Sequence, residues 1–519
     1  MESKGIPGDE GITLTPEDRS QAISALVEEQ QSWLEKKLKP KTINARYPFT
    51  GKPLLWATCG FGSLGDALFG LNSGIMSGLL VNSVFISRFF KDYGGANGST
   101  DGVNPSITGI SVACLQASAA VGSLLAGRLG DIIGRKKCVR IGAFIYFFSA
   151  FIQMFAPGFG TFVAGRTIQG LGVGFLSMTV PIIQTEIAAP HRRGLMVGIE
   201  YTFQIGGYML SCWIDYGFFF ALPSNMSWQG PFIPQIVLSF ILLAMSFFLP
   251  ETPRWLAMNG FSRESLQTIA DLHSDGDTQA EHVQKVYLEI QEAVIYEARQ
   301  GKSSWKEMFT RYRKRTIVGI TAQMYAQING INIISFYLPS TLASAGYNEK
   351  KSLLLTAANS LPYTAATVAT WWLADRWGRK PLLLVGGLGM AVLLSIVCVF
   401  TEAPFSIETK ANGQYAFVML YNVLKGMALA TTSNWVFNFI IGMVSPDAFA
   451  GIHGYFYLII AFFCLSSAVV SHFYYVETAD HTLEEIAVAF GEKAFASPDN
   501  EVMEIAHDDS KCDKEQHLA

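Results

Sequence analysis

Charge is scarce in this sequence: 15% of the 519 residues are Asp, Glu, Lys or Arg, while 50% are hydrophobic. The charged residues cluster between long apolar runs and do not interleave with them, which excludes an ordinary soluble domain. An excess of one sign is also missing. With 38 basic against 42 acidic residues, the balance gives no reason to expect nucleic acid as a partner. Seven cysteines (Cys59, Cys114, Cys138, Cys212, Cys398, Cys464, Cys512) have no paired spacing, so neither a disulfide framework nor a metal site is expected. No nucleophile, base and orienting acid stand at a motif spacing, and the eight histidines lie mainly in loops and tails, so the reading is not an enzyme and no cofactor is called for. The segment before the first apolar run lacks the basic start and short apolar core of a cleavable signal, which leaves the first span itself to direct insertion.

What is abundant is apolar length. A membrane-spanning helix needs about 20 predominantly apolar residues to cross roughly 30 Å of hydrocarbon. Runs near 54–80, 107–126, 138–157, 160–188, 195–220 and 231–249 meet that test. After a polar stretch come 316–345, 352–374 and 381–400, then an awkward run over 415–444, and finally 449–475. The expectation is an all-α membrane protein with six spans, a polar linker and five or six more. The boundaries this implies are a tail over 1–52, a first half over 53–249, a linker over 250–315, a second half over 316–476 and a closing tail over 477–519. Both tails read as polar, motif-free and cytoplasmic.

Two short charged strings lie between these runs. The first is GRLGDIIGRK, with Asp131, Gly134 and Arg135, and the second is DRWGRK, with Asp375, Gly378 and Arg379, 244 positions downstream. A charged turn that recurs half a chain apart reads as an internally duplicated membrane protein, which is how many transporters are built. Lys and Arg favour the cytoplasmic side, and they crowd the second connection (Arg128, Arg135, Lys136, Lys137, Arg140), the fourth (Arg192, Arg193) and the end of the linker (Arg311, Arg313, Lys314, Arg315). Both ends of the first half therefore face the cytoplasm. The sequons at Asn97 and Asn225 fall in loops that this topology puts outside. In the linker, Val283, Val286, Ile290, Val294 and Ile295 fall near helical spacing, which predicts a surface helix with one apolar stripe.

Several strings in order carry a family likeness: GRLGDIIGRK, AGRTIQGLGVG at 164–174, PIIQTEIAAPHRRG at 181–194, PETPRWL at 250–256, DRWGRK, SNWVFNF at 433–439 and VETADHTLEEI at 476–486. From about residue 54 to 488 the sequence resembles the sugar porter branch of the major facilitator superfamily, and AQINGINIISFY at 326–337 resembles fungal members in particular. The resemblance implies two six-helix halves that rock about a central sugar site in a multi-pass protein of the plasma membrane. It also implies cytoplasmic ion pairs that form when the cavity faces outward and part when it faces inward. Asp131, Arg135, Glu186 and Arg193 match that pattern in the first half, and Asp375 and Arg379 in the second. Exposed pairs contribute only about 0–1 kcal/mol each, so their role is to bias two populations and not to hold the fold.

A sugar offers hydroxyls for hydrogen bonds and a faintly apolar face for a ring. The positions that match sugar contacts of the family are Gln204, Gln327, Asn332, Tyr337, Asn434, Trp435 and Asn438. Gln327 and Asn332 flank Asn329 and Gly330, so the helix is expected to loosen there and turn its amides to a cavity. Ala326 stands where many relatives carry Gln, and Tyr363 where many carry Asn, so hexose preference is open to change.

Energy coupling departs from the pattern. Proton-driven relatives carry an Asp in the first span opposite an Arg in the fourth, whereas this chain has Asn72 opposite Arg166. Asn72 cannot titrate, which resembles the facilitators. Asp66, six residues earlier, points about 120° away from Asn72 and sits about 9 Å closer to the cytoplasm. Glu200, four residues before Gln204, is a second spare acid, close enough to the cytoplasmic end to read also as merely solvated. Facilitated diffusion is the expectation, with proton symport through Asp66 or Glu200 as the other reading. A sugar, possible protons and the bilayer are the partners called for.

The second half also has a gap. Between Asp375 and Lys425 only 381–400 is full length, and the next apolar piece, 415–424, has ten residues. About 15 Å of helix does not cross a bilayer. The readings are a shortened gene product, a span continuous across 415–444 with Lys425 and Asn434 buried, or a half-inserted segment, and the first is favoured. A non-transporting sugar sensor or an inactive truncated carrier is the alternative that this leaves.

Overall fold

Backbone N–H and C=O groups cannot stay unpaired in lipid, and in the computed structural model the regular structure is helical throughout the described residues, 49–99, 102–188, 193–300, 309–310, 313–427 and 435–475. The first half comprises α1 (Lys52–Leu79), the short α2 (Ser83–Phe89), α3 (Pro105–Ile133), α4 (Arg135–Met154), α5 (Phe159–Ile187), α6 (Arg193–Phe219), the short α7 (Met226–Gln229) and α8 (Phe232–Met245). Pro105 opens α3 just after Asn104, whose side chain accepts from Ser106 N and so caps the helix.

The linker folds into α9 (Pro253–Met258), α10 (Ser262–His273) and α11 (Glu281–Gln300). Val283 and Tyr287 of α11 pack on Ile269 and Ala270 of α10, and Val294 reaches Ala257 of α9. The apolar stripe is thus used within the linker, and α10 also lies against α1.

The second half comprises α12 (Arg313–Ile328), α13 (Ile331–Ser344), α14 (Glu349–Trp377), α15 (Arg379–Glu402), α16 (Ile407–Met427), α17 (Trp435–Ile452) and α18 (Phe456–Tyr474). Helix neighbours repeat between the halves. As α5 packs on α3 and α4, α16 packs on α14 and α15; as α8 packs on α4, α18 packs on α15. The charged strings occupy matching corners, where Gly134 (φ 103°) and Gly378 (φ 81°) let one long helix stop and the next start at once. A side chain at either glycine would be strained, because that region of φ disfavours a Cβ.

The apolar piece 415–424 lies within a 21-residue helix, and α16 packs mainly on α14 and α15 while α17 packs mainly on α3. The polar residues 407–414 extend α16 because α15 receives them: Gln414 Nε2 donates to Thr401 Oγ1 at 2.6 Å, and Lys410 Nζ donates to Thr401 O at 3.1 Å. About 31 Å of helix results, which differs from the ten-residue estimate made from hydropathy alone.

The halves meet along α3–α17 and α6–α14. Tyr201 and Tyr363 hydroxyls lie 3.1 Å apart across the second seam, and Trp371 Nε1 donates to Thr202 Oγ1 at 2.9 Å. At the outer end of the first seam, Ser106 Oγ donates to Asp447 at 3.2 Å.

Candidate functional site

The break between α12 and α13 builds the centre of the site. Gly330 takes φ 98°, a conformation open to glycine, and ends α12 in the interior of the bundle. Carbonyls left over at that helix end need donors, and two other helices supply them. Lys425 Nζ donates to Ala326 O at 3.1 Å, Tyr421 Oη donates to Asn329 O at 2.8 Å, and Cys464 Sγ reaches the same carbonyl at 3.4 Å. A cation at a helix C-terminus also answers the macrodipole, which explains how an ammonium only 2% exposed is tolerated there. Asn332 Nδ2 donates to Gln327 Oε1 at 2.6 Å across the break.

Beside this break lies a cavity of about 80 Å³ between the halves, enough for several waters by a measure in which one water takes roughly 10–15 Å³. The first half contributes Asp66, Phe69, Gly70 and Ser73 from α1, Ser177 from α5, and Tyr201, Gln204, Ile205 and Tyr208 from α6. The second half contributes Ala326 and Gln327 from α12, Ile331, Asn332 and Ser335 from α13, Tyr363 from α14, Lys425 from α16, and Trp435 and Asn438 from α17. Trp435 stands edge-on to Phe69, with centroids 4.8 Å apart, and its Nε1 donates to Ser177 Oγ at 3.2 Å. Asn438 Oδ1 is buried with no donor in the structure, so it is an acceptor waiting on the wall.

Of the residues singled out as sugar contacts, Gln204, Gln327, Asn332, Trp435 and Asn438 therefore share one wall. Tyr337 does not join them; its hydroxyl donates to Gly442 O at 2.8 Å and ties α13 to α17. Asn434 lies outside the described residues. Tyr201, Tyr208, Ser335 and Lys425 were not singled out as sugar contacts. Tyr208 follows Gln204 by one helical turn, which is a signal the sequence held.

Asn72 and Arg166 sit apart from the cavity in the core of the first half. Arg166 donates to Asn72 Oδ1 at 3.2 Å, and Asn72 Nδ2 donates to Gln169. Gln169 in turn accepts from Gln153 at 2.9 Å and donates to Gln235 Oε1 at 3.1 Å. The result is a fixed amide network around one guanidinium, with no titratable acid where Asn72 stands. Asp66 faces the other way, onto the cavity and α6, as its 120° offset requires. There it stands across the α1–α6 seam from Glu200, and both acids are buried. Glu200 is 1% exposed, so the expectation of a solvated acid near the helix end is corrected; the close α1–α6 seam covers it.

In the first half the acid–base cluster at the GRLGDIIGRK corner is paired. Arg135 pairs with Asp131 at 2.9 Å and with Glu186 at 3.3 Å, and donates to Gly130 O at 2.7 Å. Glu251, in PETPRWL, caps the first turn of α4, accepting from Arg135 N at 2.9 Å and Lys136 N at 3.2 Å. Burial pushes the Glu251 carboxyl up to about 7, against the pull of those backbone donors. Trp255 Nε1 donates to Asp131 O at 2.9 Å, so the linker is bolted to the same corner. The side chains of Arg193, Asp375 and Arg379 lie outside the described residues.

A family model described as "Sugar (and other) transporter" matches residues 58–425 and 424–490. A high-affinity glucose transporter of Kluyveromyces lactis is 29% identical over 81% of this chain and 82% of its own length. A probable glucose transporter of Neurospora crassa is 30% identical over 74% of this chain and 69% of its own. Among solved structures, the xylose transporter XylE from E. coli in a partially occluded inward-open conformation superposes with a TM-score of 0.68 at 21% identity, covering 83% of this chain and 100% of that one. The architecture is thus the all-α major facilitator fold.

Proposed function

Because the chain belongs to the family of sugar and other transporters, we propose that it carries a monosaccharide across the plasma membrane by alternating access. The observation that carries this reading is the cavity at the α12–α13 break, walled by Gln204, Gln327, Asn332 and Asn438 and by the Trp435 ring, with one half of the wall on each half of the molecule. Uncharged amides donate and accept, which suits hydroxyls, and a ring face suits the apolar side of a pyranose. Hexoses and pentoses both fit this chemistry.

Movement requires contacts between the halves to exchange, and Tyr201–Tyr363, Trp371–Thr202, Ser106–Asp447 and Trp435–Ser177 are single polar contacts among them. Each contributes a net of about 0.5–1.5 kcal/mol, so each can be exchanged for water at modest cost. The Arg135 latch biases the cytoplasmic side of that equilibrium toward closure.

Sealed liposomes holding the purified chain, offered labelled glucose and xylose in turn, test the reading. Uptake of either that reaches equilibrium and is blocked by an excess of unlabelled sugar is the expected result. Binding without flux would instead identify a sensor.

A further inference from the structure

Asp66 and Glu200 are the acids this bundle buries beside its cavity, and the Asn72–Arg166 position does not use them. Asp66 is 2% exposed and lines the cavity, while Glu200 lies one turn of α6 before Gln204. Within the described residues no N–H or O–H donor from another residue reaches Asp66 Oδ2 or either Glu200 oxygen. Ionised carboxylates only accept hydrogen bonds, so a proton held by either acid would supply a donor that these unpartnered oxygens lack. Two acids brought together across the α1–α6 seam in an apolar setting influence each other's titration.

The other titratable groups on this wall are Tyr201 and Tyr208 of α6, Tyr363 of α14 and Lys425 of α16, while α5 and α13 present only Ser177, Ile331, Asn332 and Ser335. Arg166 of α5 is engaged with Asn72, farther toward the outside. Lys425 is thus the cation of the cavity. One proton on the carboxyl pair would leave a single negative charge to set against that ammonium.

We propose that the Asp66–Glu200 carboxyl pair is the proton site that couples sugar movement to a pH gradient, replacing the non-titratable Asn72. The proposal rests on the transport reading above. A proton from water on one side binds a carboxylate oxygen of the pair, and it leaves to water on the other side after the cavity has reopened there. No bond other than O–H forms or breaks. Sugar on Gln204 and a proton on Glu200 share one helical turn, so the occupancy of each site alters the affinity of the other.

The test uses the full chain in sealed liposomes, with labelled glucose or xylose and an internal pH dye. With an acidic exterior, wild type accumulates sugar up to about tenfold for a one-unit gradient at one proton per sugar, with internal acidification. Glu200→Gln abolishes the accumulation and the acidification, and retains sugar counterflow without a gradient. Wild type that equilibrates with no proton flux, or Glu200→Gln that accumulates as wild type does, overturns the proposal while the transport reading stands. Wild type with no counterflow overturns both. If Glu200→Gln loses counterflow as well, Glu200→Asp decides: restored accumulation supports the proton site, and its absence overturns it.

Discussion

The two halves repeat one packing pattern but are built to different standards. Among the described residues, seven helical stretches are long and apolar enough to cross a bilayer; five lie in the first half, and Lys380–Glu402 and Trp435–Tyr474 lie in the second. The α1–α6 seam is so close that a Cβ at Gly70 would overlap the Gln204 carbonyl and one at Gly207 the Ala67 carbonyl. Its counterpart in the second half runs along a helix broken at Gly330 and completed by Lys425 and Tyr421. Small residues that let backbones touch make a firm unit in lipid, whereas a broken helix is tolerated where it lines a polar cavity. The first half is therefore the scaffold, and the second brings the adaptable wall.

The largest expected break in this comparison is at the seam. Gly70→Leu collides with the Gln204 and Tyr208 backbone, so a loss of at least about 3 kcal/mol and little folded protein in the membrane are expected. Gly319→Leu on the corresponding α12 meets nothing within 4 Å and is expected to change stability by less than about 1 kcal/mol. Detergent-extracted thermal unfolding of the pair reads the contrast.

Next comes the latch. Arg135→Ala strands Glu186, whose side chain is 12% exposed, and an unpaired charge in such a place costs on the order of 3 kcal/mol. Asp131 is half exposed, so Asp131→Asn is expected to cost a fraction of that. Equal losses in a melting assay would remove the distinction drawn between them.

At the cavity the two halves are expected to contribute alike. Gln204→Ala and Gln327→Ala each remove one cavity-facing amide, and a net loss of about 1–1.5 kcal/mol is expected to weaken sugar binding roughly tenfold. Competition with unlabelled sugar in counterflow measures it, and a loss confined to one variant would place the sugar on one half alone.

The last effect is one of pH and concerns Glu251. Its folded value of about 7 lies above the usual 4.5, so the folded state holds a proton that the unfolded chain has released between those values. Stability is therefore full below about pH 4.5 and falls as pH rises toward 7, by up to about 3 kcal/mol. Glu251→Gln is expected to flatten melting temperature against pH over pH 5–8, and an unchanged slope would contradict the assignment.

Hydropathy showed the first half well, because its spans are single apolar runs, and the paired GRK strings located both glycine corners. It failed at 407–414, where most residues are polar and contacts from neighbouring segments, among them those of Gln414 and Lys410 with Thr401 and of Asn412 with Tyr347, hold them in a helix. It could not bring Lys425 to Ala326, 99 residues away, nor Tyr201 to Tyr363 across the seam. Glu200 looked solvated for a similar reason, since burial there comes from α1 and not from its own helix. The site was legible where amides flank a glycine at Asn329–Gly330, and illegible where the partner arrives from a distant helix.

One cavity reachable from either side is the central claim, and a cysteine at Gln327 tests it directly in a background whose other cysteines are replaced. Applied to right-side-out and to inside-out vesicles, a membrane-impermeant thiol reagent is predicted to label Gln327→Cys from both faces, with an excess of transported sugar slowing both reactions. Labelling from one face only, unaffected by sugar, would contradict it.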